Sequence, residues 1–413
     1  MDVNQALPLL AGLTPAQFMR RHWQKKPLLV RQAIPGMKAL LSRTELFALA
    51  AREEVESRLI TQGKTGWQMK KGPFPQGSQP RLGKLPWTLL VQGVDLHSYK
   101  AYELLQKFRF VPDARLDDLM ISLASTGGGV GPHFDSYDVF LLQASGSRRW
   151  QISKQKDLTL QPGAPLKILQ NFEPDEEYVL EAGDMLYLPP RYAHDGVAVV
   201  TGGAAGGAAG KGADCMTYSI GFRAPARAEL AGELLHRLAE FSEDAAEDAF
   251  DATHENGKAR SNAKTVQARA LYQDPAQGAT DAPARLPTPL LDFATQAVAQ
   301  ALKDPLAVAC ALGEYMTAVK PQVWFDEPTH EFSPHGAGLR LDARTRMLYD
   351  EHHVFVNGES YRAKGADARL MQRLADQRSL SPQELARASA GALDLLADWQ
   401  AAGWLCTTVA APP

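Results

Sequence analysis

A chain of 413 residues with 45% hydrophobic and 22% charged residues has room for two or three domains and a sizeable core. A formal net charge of −3 argues against bulk electrostatic coating of nucleic acid, and the scattered Cys215, Cys310 and Cys406 make neither a disulfide framework nor a zinc knuckle, which points to a reducing compartment. No stretch reaches the roughly eighteen apolar residues that cross a bilayer, and Met1-Asp2-Val3-Asn4-Gln5 lacks the basic and apolar parts of a signal peptide, so a cytoplasmic protein with no membrane partner is expected.

Residues 14–60 read as helices joined to a short strand. Thr14-Pro15-Ala16-Gln17 supplies an N-cap with proline at the first helical position, and Pro27–Val30 reads as the strand. From 115 to 223 the texture changes to short strands broken by Gly and Pro, spaced as in a β-barrel or sandwich. Strand alternation puts Asp118, Met120 and Ser122 on one face and Leu119, Ile121 and Leu123 on the other. If the apolar set packs against outer helices, the first set lines a barrel mouth; the alternative is an exposed edge strand.

His133-Phe134-Asp135 follows the glycine run Gly127-Gly128-Gly129 and Gly131-Pro132, and precedes a short apolar strand from Asp138 to Gln143. Sixty-one positions after His133, His194 lies just beyond Gly183–Pro190, a turn, a strand and a stop. Two imidazoles and one carboxylate fill one face of an octahedral metal and leave the other open, the ligand set of non-haem Fe(II) oxygenases. The plainer alternative is a pair of loop histidines satisfied by hydrogen bonds. In Ser147–Ile152, Arg148 shares a face with Trp150 and Ile152, so it is expected to point inward, where a guanidinium needs an anion such as a dicarboxylate cosubstrate. Surface basic residues flanking a strand are the alternative. Period 2 places Tyr137, rather than Asp138, on the face of His133 and Asp135.

Residues 202–212 form a Gly/Ala-rich loop, read as a tolerated hairpin insertion rather than a lid, before the strand Met216–Ile220. After Pro225 the pattern is helical, with Leu230, Leu234, Leu235, Leu238 and Phe241 as one apolar stripe. The acidic, Ala-rich and then Pro-rich stretch 242–288 reads as mobile or partner-dependent, and helical signals resume at 289–318. In the tail, Leu339–Leu341, Met347–Tyr349 and Val354–Val356 read as strands, Asn357-Gly358 as a hairpin turn and Ser381–Glu384 as a capping box opening a helix. This mixture fits a winged-helix-like module. Its local charge is mixed, which favours a packing or dimer role and leaves direct nucleic-acid binding open.

The chain resembles the JmjC-type 2-oxoglutarate oxygenases, and within them the bacterial ribosomal oxygenases. The likeness rests on Arg21–Leu28, Trp87–Gln92, Asp117–Ser122 running on to Gly131–Phe140, Gly183–Pro190 with His194, and Tyr218–Arg223. It implies a mainly β protein with α: a double-stranded β-helix (cupin/JmjC) core over 1–225, a helical dimerisation segment over 226–305 and a C-terminal winged-helix-like domain over 306–413. It further implies a 2-oxoglutarate-dependent dioxygenase that hydroxylates the β-carbon of an arginine on the sixteenth protein of the large ribosomal subunit. By position, His133, Asp135 and His194 would hold Fe(II) and Arg148 the distal carboxylate of 2-oxoglutarate, with dioxygen as second cosubstrate. Thr217 stands where the family often has Asn beside the cosubstrate. Asp118, Met120, Tyr137 and Ser219 look like the pocket for the target arginine. Two other readings stay open: a JmjC lysine demethylase, and a non-enzymatic cupin-like binding module.

Overall fold

The computed structural model describes residues 2–63, 66–75, 85–200, 214–255, 272, 286–303, 305–328 and 337–408. These fall into two units, Met1–Ala224 with Pro321–Trp324, and Pro225–Lys320 with Phe325–Pro413.

The first unit opens on α1 (Pro15–Arg21), whose start is fixed from both sides. Thr14 accepts from the Gln17 amide and the Gln17 side chain accepts from the Thr14 amide, so two orphan donors are satisfied at once. After β1 (Leu28–Val30), α2 (Arg43–Leu49) begins on the same device, with Ser42 and Glu45. Then come β2 (Ser57–Gly63), β3 (Gly66–Lys71), β4 (Trp87–Val91), α3 (Tyr99–Gln106), β5 (Leu116–Ala124), β6 (Val139–Ser145) and β7 (Ser147–Ser153). Four strands complete the unit: β8 (Glu176–Leu180), β9 (Met185–Leu188), β10 (Ala193–Val199) and β11 (Cys215–Phe222). They form an eight-stranded antiparallel sheet, β1-β9-β6-β11-β5-β4-β2-β3, and a three-stranded one, β10-β7-β8.

Alternation decides what each sheet face does. Leu119, Ile121 and Leu123 of β5 join Met216, Tyr218 and Ile220 of β11 in the main core, where helix residues such as Phe18, Leu46 and Leu104 cover them. On the opposite face, Val139, Leu141, Leu186 and Leu188 meet Trp150, Ile152 and Leu180 of the small sheet in a second cluster. The same inner face on β5 and β11 carries polar residues instead. Part of the space between the sheets is therefore sealed with apolar packing and part is lined with polar side chains.

In the second unit, α4 (Arg227–Glu255), α5 (Thr288–Ala301) and α6 (Pro305–Thr317) precede the strands β12 (Gly338–Leu341), β13 (Met347–Tyr349), β14 (Val354–Val356) and β15 (Glu359–Tyr361). The hairpin turn between β14 and β15 is built as expected, with Asn357 at φ 51° and Gly358 at φ 95°. Then follow α7 (Gly365–Gln377), β16 (Ser379–Leu380), α8 (Pro382–Leu385), α9 (Ala390–Ala401) and β17 (Leu405–Thr408). Ser381 and Glu384 make the capping box, but α8 is one turn long; Ser389 caps a separate helix, α9. Glu314 ties the unit together, accepting from the Ser360 hydroxyl at 2.7 Å and facing Arg237 at 3.6 Å.

The α4 stripe is narrower than its sequence suggests. Leu238 is buried and Leu230, Leu234 and Phe241 are half-buried, whereas Leu235, one residue round the helix from Leu234, is 49% exposed. The helix also continues to Glu255, so the stretch expected to be mobile starts as regular structure. Its remainder, residues 256–285 apart from 272, lies outside the described residues, as does the Gly/Ala loop at 202–212. Among the described residues no helix is long and apolar enough to cross a membrane.

Candidate metal centre and its pocket

His133 and His194 face each other across a two-residue antiparallel bridge. The His133 amide donates to the His194 carbonyl at 2.9 Å and the His194 amide to the His133 carbonyl at 2.8 Å. The imidazole centroids are consequently 4.2 Å apart. His133 sits at the end of a glycine-rich loop and His194 on β10, so the bridge joins the loop to the small sheet. Each ring spends its Nδ1–H on a carbonyl two residues away: His133 on Gly131 at 2.8 Å, His194 on Tyr192 at 2.9 Å. Both Nε2 lone pairs are left to point at a common place. Asp135 completes the group, its Oδ2 3.7 Å from His194 Nε2. One donor atom from each of the three lies within 4.8 Å of the others. Burial, seconded by the neighbouring His133, pulls the His194 pKa down to about 4, which keeps that imidazole neutral and able to ligate at neutral pH.

Arg148 lies four residues along the β7–β10 ladder from the position opposite His194. On the β7–β10 ladder, Ile152 pairs with His194, Trp150 with Gly196 and Arg148 with Ala198. The guanidinium is 2% exposed and stacks 5.7 Å from the Trp150 ring, which in turn lies 5.8 Å from the His194 ring. Its Nη1 reaches the Gly196 carbonyl at a long 3.4 Å, while Nε and Nη2 are buried with no hydrogen-bond partner among the described residues. Natural interiors almost never leave a charged fork in that condition. The side chain is aimed inward and its geometry matches a carboxylate.

The opposite wall is the inner face of β5 and β11. Asp118 is 6% exposed, and its Oδ2 accepts from the Gly93 amide at 3.0 Å. Met120 pairs with Ser219 and Ser122 with Thr217, so all five side chains share one face. Met120 and Ser219 are half-buried, as expected at an opening. Thr217 is 1% exposed and donates to Gln143 Oε1 at 2.8 Å. Sequence reasoning passed over Gln143, although a lone amide inside the apolar run Val139–Ala144 was the available signal.

Tyr137 reaches this wall, but not for the reason read from the sequence. Residues 134–138 form a loop, so strand alternation does not apply to them. Tyr137 lies beside Gly221 of β11, where a Cβ would come within 3.9 Å of the Tyr137 ring and 3.7 Å of Asp118 Oδ1. Desolvation, then the charges of Asp135, Asp118 and Asp117, hold the Tyr137 phenol well above its usual range, although the residue as a whole is 40% exposed. It is therefore a neutral donor. Asp138 is a brace outside the pocket: fully buried, it accepts from Tyr187 at 2.6 Å and Gln24 at 3.1 Å, with Arg115 at 3.5 Å.

Comparison with known proteins identifies two parts of the chain. Residues 103–230 match the JmjC domain and residues 300–406 a ROXA-like winged helix. The chain is 40% identical over 216 residues to the ribosomal protein uL16 3-hydroxylase of Escherichia coli, covering 52% of this chain and 53% of that protein. It is 37% identical over 219 residues to a probable ribosomal oxygenase of Haemophilus influenzae, covering 52% and 50%. These alignments span about half the length of the curated relatives. The fold similarity reaches further: the Escherichia coli ribosomal oxygenase YcfD, solved with cobalt and 2-oxoglutarate, superposes with a TM-score of 0.74 at 27% identity over 96% of this chain and 98% of that one. A JmjC core carrying a His-Asp-His cluster, followed by a ROXA-like winged helix, makes this chain similar to the ribosomal oxygenases in both sequence and fold.

Proposed function

We propose that the chain is an Fe(II)- and 2-oxoglutarate-dependent hydroxylase that acts on the β-carbon of an arginine in the sixteenth protein of the large ribosomal subunit. The observation that carries this reading is the pairing of a two-histidine, one-carboxylate cluster with a buried, anion-seeking guanidinium, Arg148 sharing the β7–β10 ladder with the buried His194. His133, Asp135 and His194 fit a ferrous ion in donor type and spacing. When bound, the ion and its cosubstrates supply the oxidising power for replacing C–H by C–OH, with 2-oxoglutarate converted to succinate and carbon dioxide.

The chain's own residues orient and exclude. Arg148 takes the distal carboxylate of 2-oxoglutarate in its fork, and Trp150 packs between that contact and His194. Asp118, fixed by the Gly93 amide, receives the substrate guanidinium so that the β-carbon rather than the nitrogen end faces the metal cluster. Met120 and the neutral Tyr137 flank the side chain, with Ser219 at the opening and Thr217 deeper beside Gln143. A carboxylate beside a single tyrosine suits arginine better than a methylammonium, which favours hydroxylation over lysine demethylation.

A homodimer in the cytoplasm suits the rest of the molecule. On and just after α5, Leu291, Val298 and Leu302 are 53%, 55% and 47% exposed and fall on one helical stripe, an apolar face that a second copy would cover.

The test is direct. Purified protein given Fe(II), 2-oxoglutarate and a peptide of the ribosomal protein should make succinate in step with one added oxygen on an arginine. Succinate that does not depend on the peptide, or a peptide left unmodified, would remove the reading. Asp118→Asn should lower kcat/KM for the peptide about ten- to hundredfold, the value of a charged hydrogen bond. The 2-oxoglutarate requirement should stay within about twofold by the same reasoning; equal loss of both would dismiss Asp118 from the substrate pocket.

A further inference from the structure

Gly131 stands two residues before His133 and provides the carbonyl that accepts the ring's Nδ1–H. Its φ of +79° suits glycine, and its surroundings demand it. A Cβ there would lie 2.7 Å from Ile168 Cδ1 and 2.9 Å from Trp67 Cζ2. Two large side chains from distant parts of the chain thus close directly on the peptide that orients a metal ligand. The next residue is held too, since the Leu169 amide donates to the Pro132 carbonyl at 2.8 Å. Trp67 comes from β3, the outermost strand of the large sheet, and pairs with Gln62 of β2. Neither Trp67 nor Ile168 has a group that can ligate a metal or carry a proton at neutral pH.

We infer that Trp67 is a positioning residue for the metal centre: with Ile168 it clamps the Gly131–Pro132 turn, and through the Gly131 carbonyl it fixes the tautomer and tilt of His133. The inference rests on the metal reading above. Outer partners of ligating histidines typically set metal affinity by about ten- to hundredfold, and here the partner is a backbone carbonyl whose own place depends on packing. Loosening the clamp frees the turn, so the His133 ring samples orientations in which Nε2 no longer meets Asp135 and His194.

The experiment measures ion binding rather than turnover. Cobalt(II) is titrated anaerobically into wild-type, Trp67→Leu, Trp67→Phe and Met69→Ala protein, followed by calorimetry and by the visible absorption of bound cobalt. Met69 lies on the same face of the same strand, two residues on, and serves as the control. Trp67→Leu should weaken cobalt binding about tenfold and alter the cobalt spectrum, with Trp67→Phe intermediate and Met69→Ala like wild type. Nitrogen NMR of the metal-free protein should show His133 losing its single Nδ1–H tautomer in Trp67→Leu, a change that general destabilisation alone does not produce. If Trp67→Leu fails to fold, the Phe variant and Ile168→Val carry the test, each with a smaller loss of the same sign. Folded variants that bind cobalt within twofold of wild type with an unchanged spectrum overturn the clamp alone. A wild-type chain that binds no cobalt overturns both the clamp and the function proposed above.

Discussion

Replacing Arg148 by methionine is expected to make the free protein more stable and the loaded protein nearly inert. The side chain is buried with two of its nitrogens unpaired among the described residues, and a guanidinium in that state works against folding. Methionine keeps much of the stem's volume and removes the charge, so the cosubstrate-free protein should gain on the order of 1–3 kcal/mol, read as a rise in Tm. The same change should abolish the extra thermal stability that 2-oxoglutarate gives the wild type, because the anion then has no fork to enter. Arg148→Lys separates charge from geometry. It should bind 2-oxoglutarate about ten- to hundredfold more weakly, having kept the charge and lost the second hydrogen bond. A methionine variant that melts lower than wild type and still responds to 2-oxoglutarate would take Arg148 out of the site.

His194→Ala should cost more than any other single change in this pocket. It removes one of three donors, so cobalt or ferrous ion should bind more than about a hundredfold more weakly, beyond the usual effect of losing an outer partner. Hydroxylation should fall to background. The chain should nevertheless stay folded, because the bridge between residues 133 and 194 is made by backbone groups alone. Ion retention measured by equilibrium dialysis, beside a circular dichroism spectrum like that of wild type, checks both halves. An alanine variant that retains the ion would refute the ligand assignment.

How far the sequence could be read depended on whether a feature was local. The capping residues Thr14, Ser381 and Glu384, the Asn357-Gly358 turn and the inward set of β7 all follow from neighbours a few residues apart, and each appears where it was expected. The inner face of β5 was read correctly because period 2 survives in any sheet, although the choice between barrel mouth and exposed edge needed the partners of Asp118 and Leu119. Strand alternation could not place Tyr137, since it stands on a loop; its nearness to Gly221 and Asp118 comes from remote parts of the chain. Asp138 and Gln143 could not be sorted by pattern: one braces the N-terminal segment and the other holds Thr217, and both partners are remote in sequence. The contact of Trp67 with Gly131 was least legible of all. It depends on strand order, which periodicity does not encode.

The division of labour between the two sheets has an evolutionary corollary. His194 and Arg148 belong to the small sheet, whereas Asp118, Met120 and Ser219 belong to the large one. On the proposed function, His194 and Arg148 would thus serve the oxidation from one wall while target recognition draws on the other. Drift on one wall can exchange the amino acid being modified while the other keeps its reactivity, so a single scaffold can diversify its clientele without reinventing its chemistry.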